Sequence, residues 1–178
     1  MLTLDEILAR PFVERDAFVD ERLGIEAPPP DAGLPRGAVP YLPCGVEEII
    51  AFIREAPVTR DDTFVDLGAG LGRVAMLVHL LTGARAHGIE IQEHLVRAAE
   101  ERARALGLAQ VTFEHANVLD AALEGNVFFL YAPFNGPTLA RACERLDEVA
   151  KSRKITIGTV DVVVDWKPRR TIGRLSIY

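Results

Sequence analysis

The chain has 178 residues, 49% hydrophobic and 26% charged, which predicts one globular domain with a substantial core. Its net charge of −6 argues against nucleic acid and anionic membrane surfaces as partners, because like charges repel. No apolar run reaches the ~20 residues of a membrane span, and acidic residues near the N-terminus argue against a signal peptide. Cys44 and Cys143 lack metal or disulfide spacing and predict free thiols. We therefore expect a cytoplasmic protein.

The first forty-three residues form an arm that differs from the rest of the chain. "LTLDEILARPFVERDAFVDERLGI" has helical spacing that Pro11 interrupts. The following segment holds six prolines between Pro28 and Pro43, and it is expected to be extended rather than helical. "GVEEIIAFIREA" then predicts an amphipathic helix. We divide the chain into an arm over residues 1–43 and a core over residues 44–178.

Strands and helices alternate from Thr63 onward. "TFVDL", "ARAHGIEI", "AQVTFEH", "NVFFLYAPF" and "KITIGTVDVVVDW" predict strands, and helical patterns separate most of them, with a short helical turn in "NVLDAALEG". Such alternation predicts an α/β fold, a Rossmann-like doubly wound and mostly parallel sheet. Too few residues follow Lys154 for another helix, so "TIGRLSIY" is expected to end the sheet as a shortened C-terminal hairpin with the strand before it.

The first strand leads directly into a glycine-rich loop, "VDLGAGLG". In parallel sheets, ligands bind beyond the carboxyl ends of the strands, and glycines there let a ligand approach the backbone closely. Gly68, Gly70 and Gly72 are therefore candidate binding residues. Asp66 precedes them at the end of an apolar run, and a carboxylate in that position favours a ligand with a positive charge.

Two further strand ends extend this candidate site. Glu90 lies at the tip of "HGIEI", eighteen residues after Gly72, where a carboxylate can accept both hydroxyls of a ribose. The third strand ends at "HANVLD", where Asn117 can pair with the edge of an adenine. Ile91 and Val118 can then enclose its ring. A cofactor that combines an adenosine with a cationic group is S-adenosylmethionine (SAM). Asp66 would then face its ammonium group.

A dinucleotide cofactor is the alternative interpretation of the same loop. The fingerprint G-x-G-x-x-G/A fails from Gly68, because Arg73 takes its last position, but it fits from Gly70 with Ala75. That register predicts an NAD(P)-binding oxidoreductase, yet it leaves Asp66 without a role.

Thr63 to about Asn135 resembles the core of the class I SAM-dependent methyltransferases. "VDLGAGLG" matches their first motif, D/E-x-G-x-G-x-G, and "GIEI" matches their acidic second-strand end. "AVPYLPCGVEEIIAFI" resembles the Tyr-x-Pro-Thr loop of small methyltransferases and of the DOT1-like group, with Cys44 in place of threonine. The resemblance implies SAM as cofactor, S-adenosylhomocysteine (SAH) as product, and methyl transfer to an acceptor at the fourth strand, "FLYAPF".

Tyr131 and Asn135 are the candidate catalytic residues near that strand, with Tyr41 from the upstream loop. Enzymes that methylate the amines of nucleic-acid bases resemble one another in an Asn/Asp-Pro-Pro-Tyr/Phe motif at this strand. "APFN" lacks the polar residue that begins this motif. By this motif a small molecule, a protein side chain and RNA all remain open as acceptors. The net charge of −6 makes nucleic acid the least expected, so we expect a small molecule or a protein. The four histidines show no ligand spacing, so no metal is expected. A SAM-binding domain without turnover remains a further alternative, because Ala132 replaces that polar residue.

The resemblance places the proline-rich segment over the methionine end of SAM. We expect residues up to Pro43 to cover the cavity as a lid, with Tyr41 facing the sulfonium, because a cation near an aromatic face is stabilised by ~0.5–2 kcal/mol.

Overall fold

The computed structural model describes residues 2–26, 34 and 39–178. The helices before the sheet are α1 (Leu4–Leu8), α2 (Arg15–Leu23) and α3 (Val46–Glu55). Thr3 and Glu6 form a capping box that starts α1. Pro11 lies between α1 and a 3-10 turn, so the predicted break is where proline cannot continue a helix. Gly24, in the left-handed conformation, ends α2.

Strands and helices alternate in the predicted order from residue 63. Their bounds are β1 (Thr63–Leu67), α4 (Arg73–Thr82), β2 (Arg85–Glu90), α5 (Glu93–Ala105), β3 (Val111–His115), β4 (Val127–Tyr131), α6 (Gly136–Ser152), β5 (Thr156–Val160), β6 (Arg170–Ile172) and β7 (Leu175–Ile177). The helical turn predicted after β3 is a non-helical turn instead. Asn117 closes it, because its Oδ1 accepts the Leu119 N–H at 2.9 Å.

The strands form one sheet in the order β3-β2-β1-β4-β5-β7-β6. Strands β1 to β5 are parallel, and β7 is antiparallel to both β5 and β6. The predicted Rossmann-like, mostly parallel sheet is confirmed. The last stretch, predicted to pair with the strand before it, holds both strands of the hairpin, because Gly173 turns the chain with φ +57°.

The N-terminal helices share the core of the sheet. Ile7, Val19 and Leu23 are fully buried in the same apolar cluster as Phe64 of β1 and Phe52 of α3. The first helices therefore pack on the face that α3 and α4 cover. Within the described ranges, no helix combines the length and the apolar character needed to cross a bilayer.

The strand order places the exits of β1, β2 and β4 side by side. Strand β1 is paired with β2 on one side and with β4 on the other. The glycine loop, Glu90 and Tyr131 follow or end these three strands, so the fold brings together residues that lie far apart in sequence.

Candidate active site

A cavity opens at the exits of β1, β2 and β4, and it holds about 790 Å³ of empty space when the open solvent at its mouth is included. The predicted residues on its wall are Tyr41, Gly68, Gly70, Glu90, Ile91, Asn117, Val118 and Tyr131. Asp66, Gly72 and Asn135 are not on its wall.

The glycine loop has positive φ at each glycine, from +54° to +94°. An added Cβ at Gly68 would lie 2.2 Å from Pro133 Cβ, and one at Gly70 would lie 2.4 Å from the Tyr41 ring. These two glycines keep the wall thin and open to a ligand. Gly72 has another purpose, because a Cβ there would meet the Phe113 ring at 2.5 Å, which makes it a packing residue at the start of α4.

Glu90 is buried at the end of β2, and its carboxylate holds the loop. One oxygen accepts the Gly70 N–H at 2.9 Å, and the other accepts the Gln92 N–H at 2.9 Å. Each carboxylate oxygen can accept two hydrogen bonds, so one site on each remains for a hydroxyl. Glu90 can therefore shape the glycine loop and accept a ribose at the same time.

Asp66 lies buried behind the cavity wall. Among the described residues its Oδ2 has no hydrogen-bond partner, although the atom is fully enclosed. Burial raises the pKa of Asp66 to about 8, and the nearby Glu90 carboxylate adds to this rise. Two carboxylates this close favour a cation and disfavour a pyrophosphate. The carboxylates of Asp66 and Glu90 thus fit the ammonium end of SAM better than they fit a dinucleotide.

Ile91 and Val118, which the sequence predicts to enclose an adenine, both lie on the cavity wall. Asn117 uses its Oδ1 in the turn after β3, which leaves its amide N–H groups for a ligand. Gln92 was not predicted, yet it is buried, lines the cavity, and its Oε1 has no partner among the described residues. Its position two residues after Glu90 was the available signal.

Residues 39–42 cover the glycine loop from above, and all four line the cavity. The Val39 N–H donates to the Pro133 carbonyl at 3.3 Å, which ties this segment to the exit of β4. Burial raises the pKa of Tyr41 to about 12, so its phenol is neutral near pH 7. Most of the predicted proline lid, residues 27–33 and 35–38, lies outside the described residues.

The end of the cavity at the exit of β4 is built from residues distant in sequence. Tyr131 lines the cavity, and Arg174 from the β6–β7 turn lies beside its phenol. Arg174 also bonds Glu48 at 2.9 Å and Asp161 at 2.8 Å. Burial raises the pKa of Tyr131, and Arg174 opposes that rise only in part.

Backbone strain marks the same end of the site. Ala132 and Asp161, directly after β4 and β5, have φ of +38° and +55°, a region that costs non-glycine residues about 1–3 kcal/mol. Asn135, predicted to be catalytic, is exposed at the extended N-cap of α6 and does not line the cavity. Thr138, one turn into α6, lines the cavity instead.

Comparisons with known proteins agree with this geometry. A protein-family model described as a methyltransferase domain matches residues 59–152, just over half of the chain. An RNA methyltransferase from Salinibacter ruber, solved in complex with SAH, is 26% identical over 77% of this chain and 91% of that chain, with a TM-score of 0.63.

Two less similar structures show the fold alone. A SAM-dependent methyltransferase from Aquifex aeolicus is 20% identical over 67% of this chain and 68% of that chain, with a TM-score of 0.54. A geranyl diphosphate C-methyltransferase from Streptomyces coelicolor A3(2), solved with SAH, is 19% identical over 65% of this chain and 45% of that chain, with a TM-score of 0.57.

The family match and the SAH complex of the Salinibacter ruber relative decide against the alternative dinucleotide register. Ala75 is fully buried in α4, which either register allows. The DOT1-like subgroup remains a prediction. By its family match, its fold and its relatives, the chain belongs to the methyltransferase-domain family and is a class I SAM-dependent methyltransferase.

Proposed function

We propose that the cavity binds SAM along the exits of β1 and β2 and admits the methyl acceptor at the exit of β4. The observation that carries this proposal is the continuity of one cavity from Glu90 to Tyr131. Glu90 would accept the ribose hydroxyls, Ile91, Asn117 and Val118 would hold the adenine, and Asp66 would balance the ammonium. Residues 39–42 would act as the described part of the lid.

The cofactor supplies a methyl group already activated on its sulfonium for in-line displacement. The chain's own task is alignment and exclusion of water, and good alignment contributes ~7–11 kcal/mol to such reactions. A tyrosine is protonated near pH 7, and the raised pKa of Tyr131 makes its phenol still harder to ionise, so it would orient the acceptor as a hydrogen-bond donor rather than remove a proton. Thr138 offers a second hydroxyl on the same wall.

The acceptor we favour is a small molecule or a protein side chain. Among the described residues that line the cavity, Glu90 is the one charged group, and the acceptor end carries apolar groups and two hydroxyls. That wall suits a neutral nucleophile, and the nearby Arg174 is already paired with Glu48 and Asp161. We also propose a cytoplasmic location, since both cysteines are free thiols.

RNA is the second candidate, because the Salinibacter ruber relative is an RNA methyltransferase. The charges of this chain argue against it. Residues 151–178 carry seven basic side chains against two acidic ones. However, Arg170 pairs with Glu55 at 2.8 Å, and Arg174 pairs with two acids. Two of the seven cations are therefore paired with acids of the domain, and the net charge of −6 disfavours RNA as a partner.

Transfer of radiolabelled methyl from SAM into fractionated cell extract tests the acceptor class. Separate samples are treated with ribonuclease, treated with protease, or filtered to retain small molecules, and Glu90→Ala serves as the inactive control. We expect label in the small-molecule or protease-sensitive fraction. Label that only ribonuclease removes would establish RNA instead, and binding of SAM without label anywhere would favour a domain without turnover.

A further inference from the structure

Arg73 is a buried cation directly after the glycine loop. It is the first residue of α4, and its side chain is only 6% exposed. A positive charge at a helix N-terminus opposes the helix dipole, and a buried charge is costly unless it is paired. Packing alone does not require arginine there, so its contacts indicate what it does.

The guanidinium joins three parts of the chain. It bonds both carboxylate oxygens of Asp20, and its Nη1 donates to Asp16 Oδ1 at 2.9 Å, so two acids of α2 hold it. The same Nη1 donates to the Cys44 carbonyl at 2.8 Å. We call Arg73, Asp16 and Asp20 the arginine clamp.

The clamp fixes the loop that carries Tyr41. Arg73 holds the Cys44 carbonyl, and Asp16 Oδ1 also accepts the Val46 N–H at 3.0 Å, which anchors the start of α3. The loop is thus held at two backbone groups, two residues apart. Tyr41 lies three residues before Cys44, and its ring packs where a Gly70 side chain would be.

We propose that the arginine clamp positions Tyr41 over the bound cofactor, so that helix α2 contributes to SAM binding without touching the cavity. Arg73, Asp16 and Asp20 are positioning residues that act through Tyr41. This inference rests on the proposed function, in which residues 39–42 cover the cofactor.

A nearby ion pair provides a matched control for simple attachment of the arm. Arg15 Nη1 contacts Glu47 Oε1 at 2.5 Å, and Arg15 is also largely buried, with 17% of its side chain exposed. This pair joins α2 to α3 but has no hydrogen bond to Cys44 or to the glycine loop. Loss of Arg15 therefore removes an attachment of the arm and leaves the clamp intact.

A double-mutant cycle tests the proposal, with SAM affinity measured by calorimetry and folding by thermal unfolding. The variants of the full chain are R73M, Y41A, their combination and the control R15M. We expect R73M and Y41A each to weaken SAM binding about tenfold, and the double variant to be no weaker than about tenfold, because both remove one interaction. R15M should bind SAM within about twofold of the wild type.

Two results would contradict the proposal that the arginine clamp positions Tyr41. One is R73M binding SAM within twofold of the wild type while folded, and the other is an effect in the double variant that equals the product of the single effects. If R73M does not fold, D16A replaces it, because Asp16 is 54% exposed and its loss leaves the Arg73–Asp20 pair in place. A wild-type chain that binds no SAM would contradict the proposed function itself rather than the clamp.

Discussion

The cavity has two halves that are built differently. The cofactor half, where we propose that SAM binds, lies at the exits of β1 and β2, and the acceptor half, where we propose that the methyl acceptor enters, lies at the exit of β4. The glycine loop and Glu90 lie within 23 residues of sequence, and backbone hydrogen bonds join them. The acceptor half gathers Tyr131, Asp161 and Arg174, together with Glu48 from α3, through side-chain contacts between distant elements. A local sequence motif therefore forms the half proposed for SAM, whereas contacts between distant elements form the half proposed for the acceptor.

The Gly68→Ala substitution should break both halves at once and have the largest effect. A Cβ there would lie 2.2 Å from Pro133 Cβ on a backbone with φ +94°. Strain and overpacking should lower the free energy of unfolding by about 2–4 kcal/mol. SAM affinity, measured by calorimetry, should fall more than about a hundredfold.

Gly107→Ala is the control for backbone strain alone, because φ is +68° there and no atom lies within 4 Å of an added Cβ. It should lower stability by about 1–2 kcal/mol and leave SAM affinity unchanged. Equal losses of SAM affinity in the two variants would show that the contact between Gly68 and Pro133 has no special part in the cavity.

Glu90→Ala should weaken SAM binding more than it lowers the stability of the fold. A lost hydrogen bond to a charged group costs ~1.5–3 kcal/mol, which is about a tenfold to hundredfold loss of SAM affinity. Glu114→Ala is the control, since Glu114 is a partly exposed residue on β3 that pairs with His87. A Glu90 variant that binds SAM within twofold of wild type would remove the ribose role.

The charge of Asp66 should make cofactor binding depend on pH. The carboxyl, with a pKa of about 8, is protonated in the free protein near pH 7 and must ionise to balance an ammonium. Below pH 8 binding therefore releases a proton, and SAH affinity should rise about tenfold from pH 6 to pH 7. Calorimetry in buffers of different ionisation enthalpy counts that proton.

Asp66→Asn should bind more weakly and lose this pH dependence. In the free protein the raised pKa also makes unfolding release a proton between about pH 4 and 8, so this group lowers stability as pH rises through that range. An SAH affinity that is equal at pH 6 and pH 7 in the wild type would show that Asp66 does not balance the ligand's charge.

Arg174→Met should change stability and SAH affinity only slightly, which tests whether the two halves of the cavity act separately. Its ion pairs with Glu48 and Asp161 are partly exposed, so the loss of stability should stay near 0.2–1 kcal/mol. SAH affinity should change less than about twofold, because Arg174 lies on the acceptor half. A tenfold loss in calorimetry would mean that the two halves of the cavity are not separable.

The cofactor half was largely predictable from sequence. A strand end, alternate glycines and an acid at the next strand end determine the loop, because each requirement is local to one strand exit. Gly72 shows the limit of that reasoning, since its contact with Phe113 depends on how α4 packs on β3. Gln92 was missed because its role depends on burial rather than on residue type.

The acceptor half was not predictable in the same way. The sequence predicts Asn135 because it lies close to the fourth strand. In the structure Thr138 lines the cavity and Asn135 does not. Arg174 and Glu48 lie 126 residues apart, and the packing of α3 against β7 brings them together. The arginine clamp likewise depends on where α2 packs.

Titration of the full-length chain with SAH, beside NADH as a control, tests the central claim most directly. The claim is that the exits of β1 and β2 form an adenosyl site suited to a cation. We predict a saturable heat with one SAH bound per chain and no heat with NADH. No heat with SAH at protein concentrations of tens of micromolar, or tight binding of NADH, would contradict it.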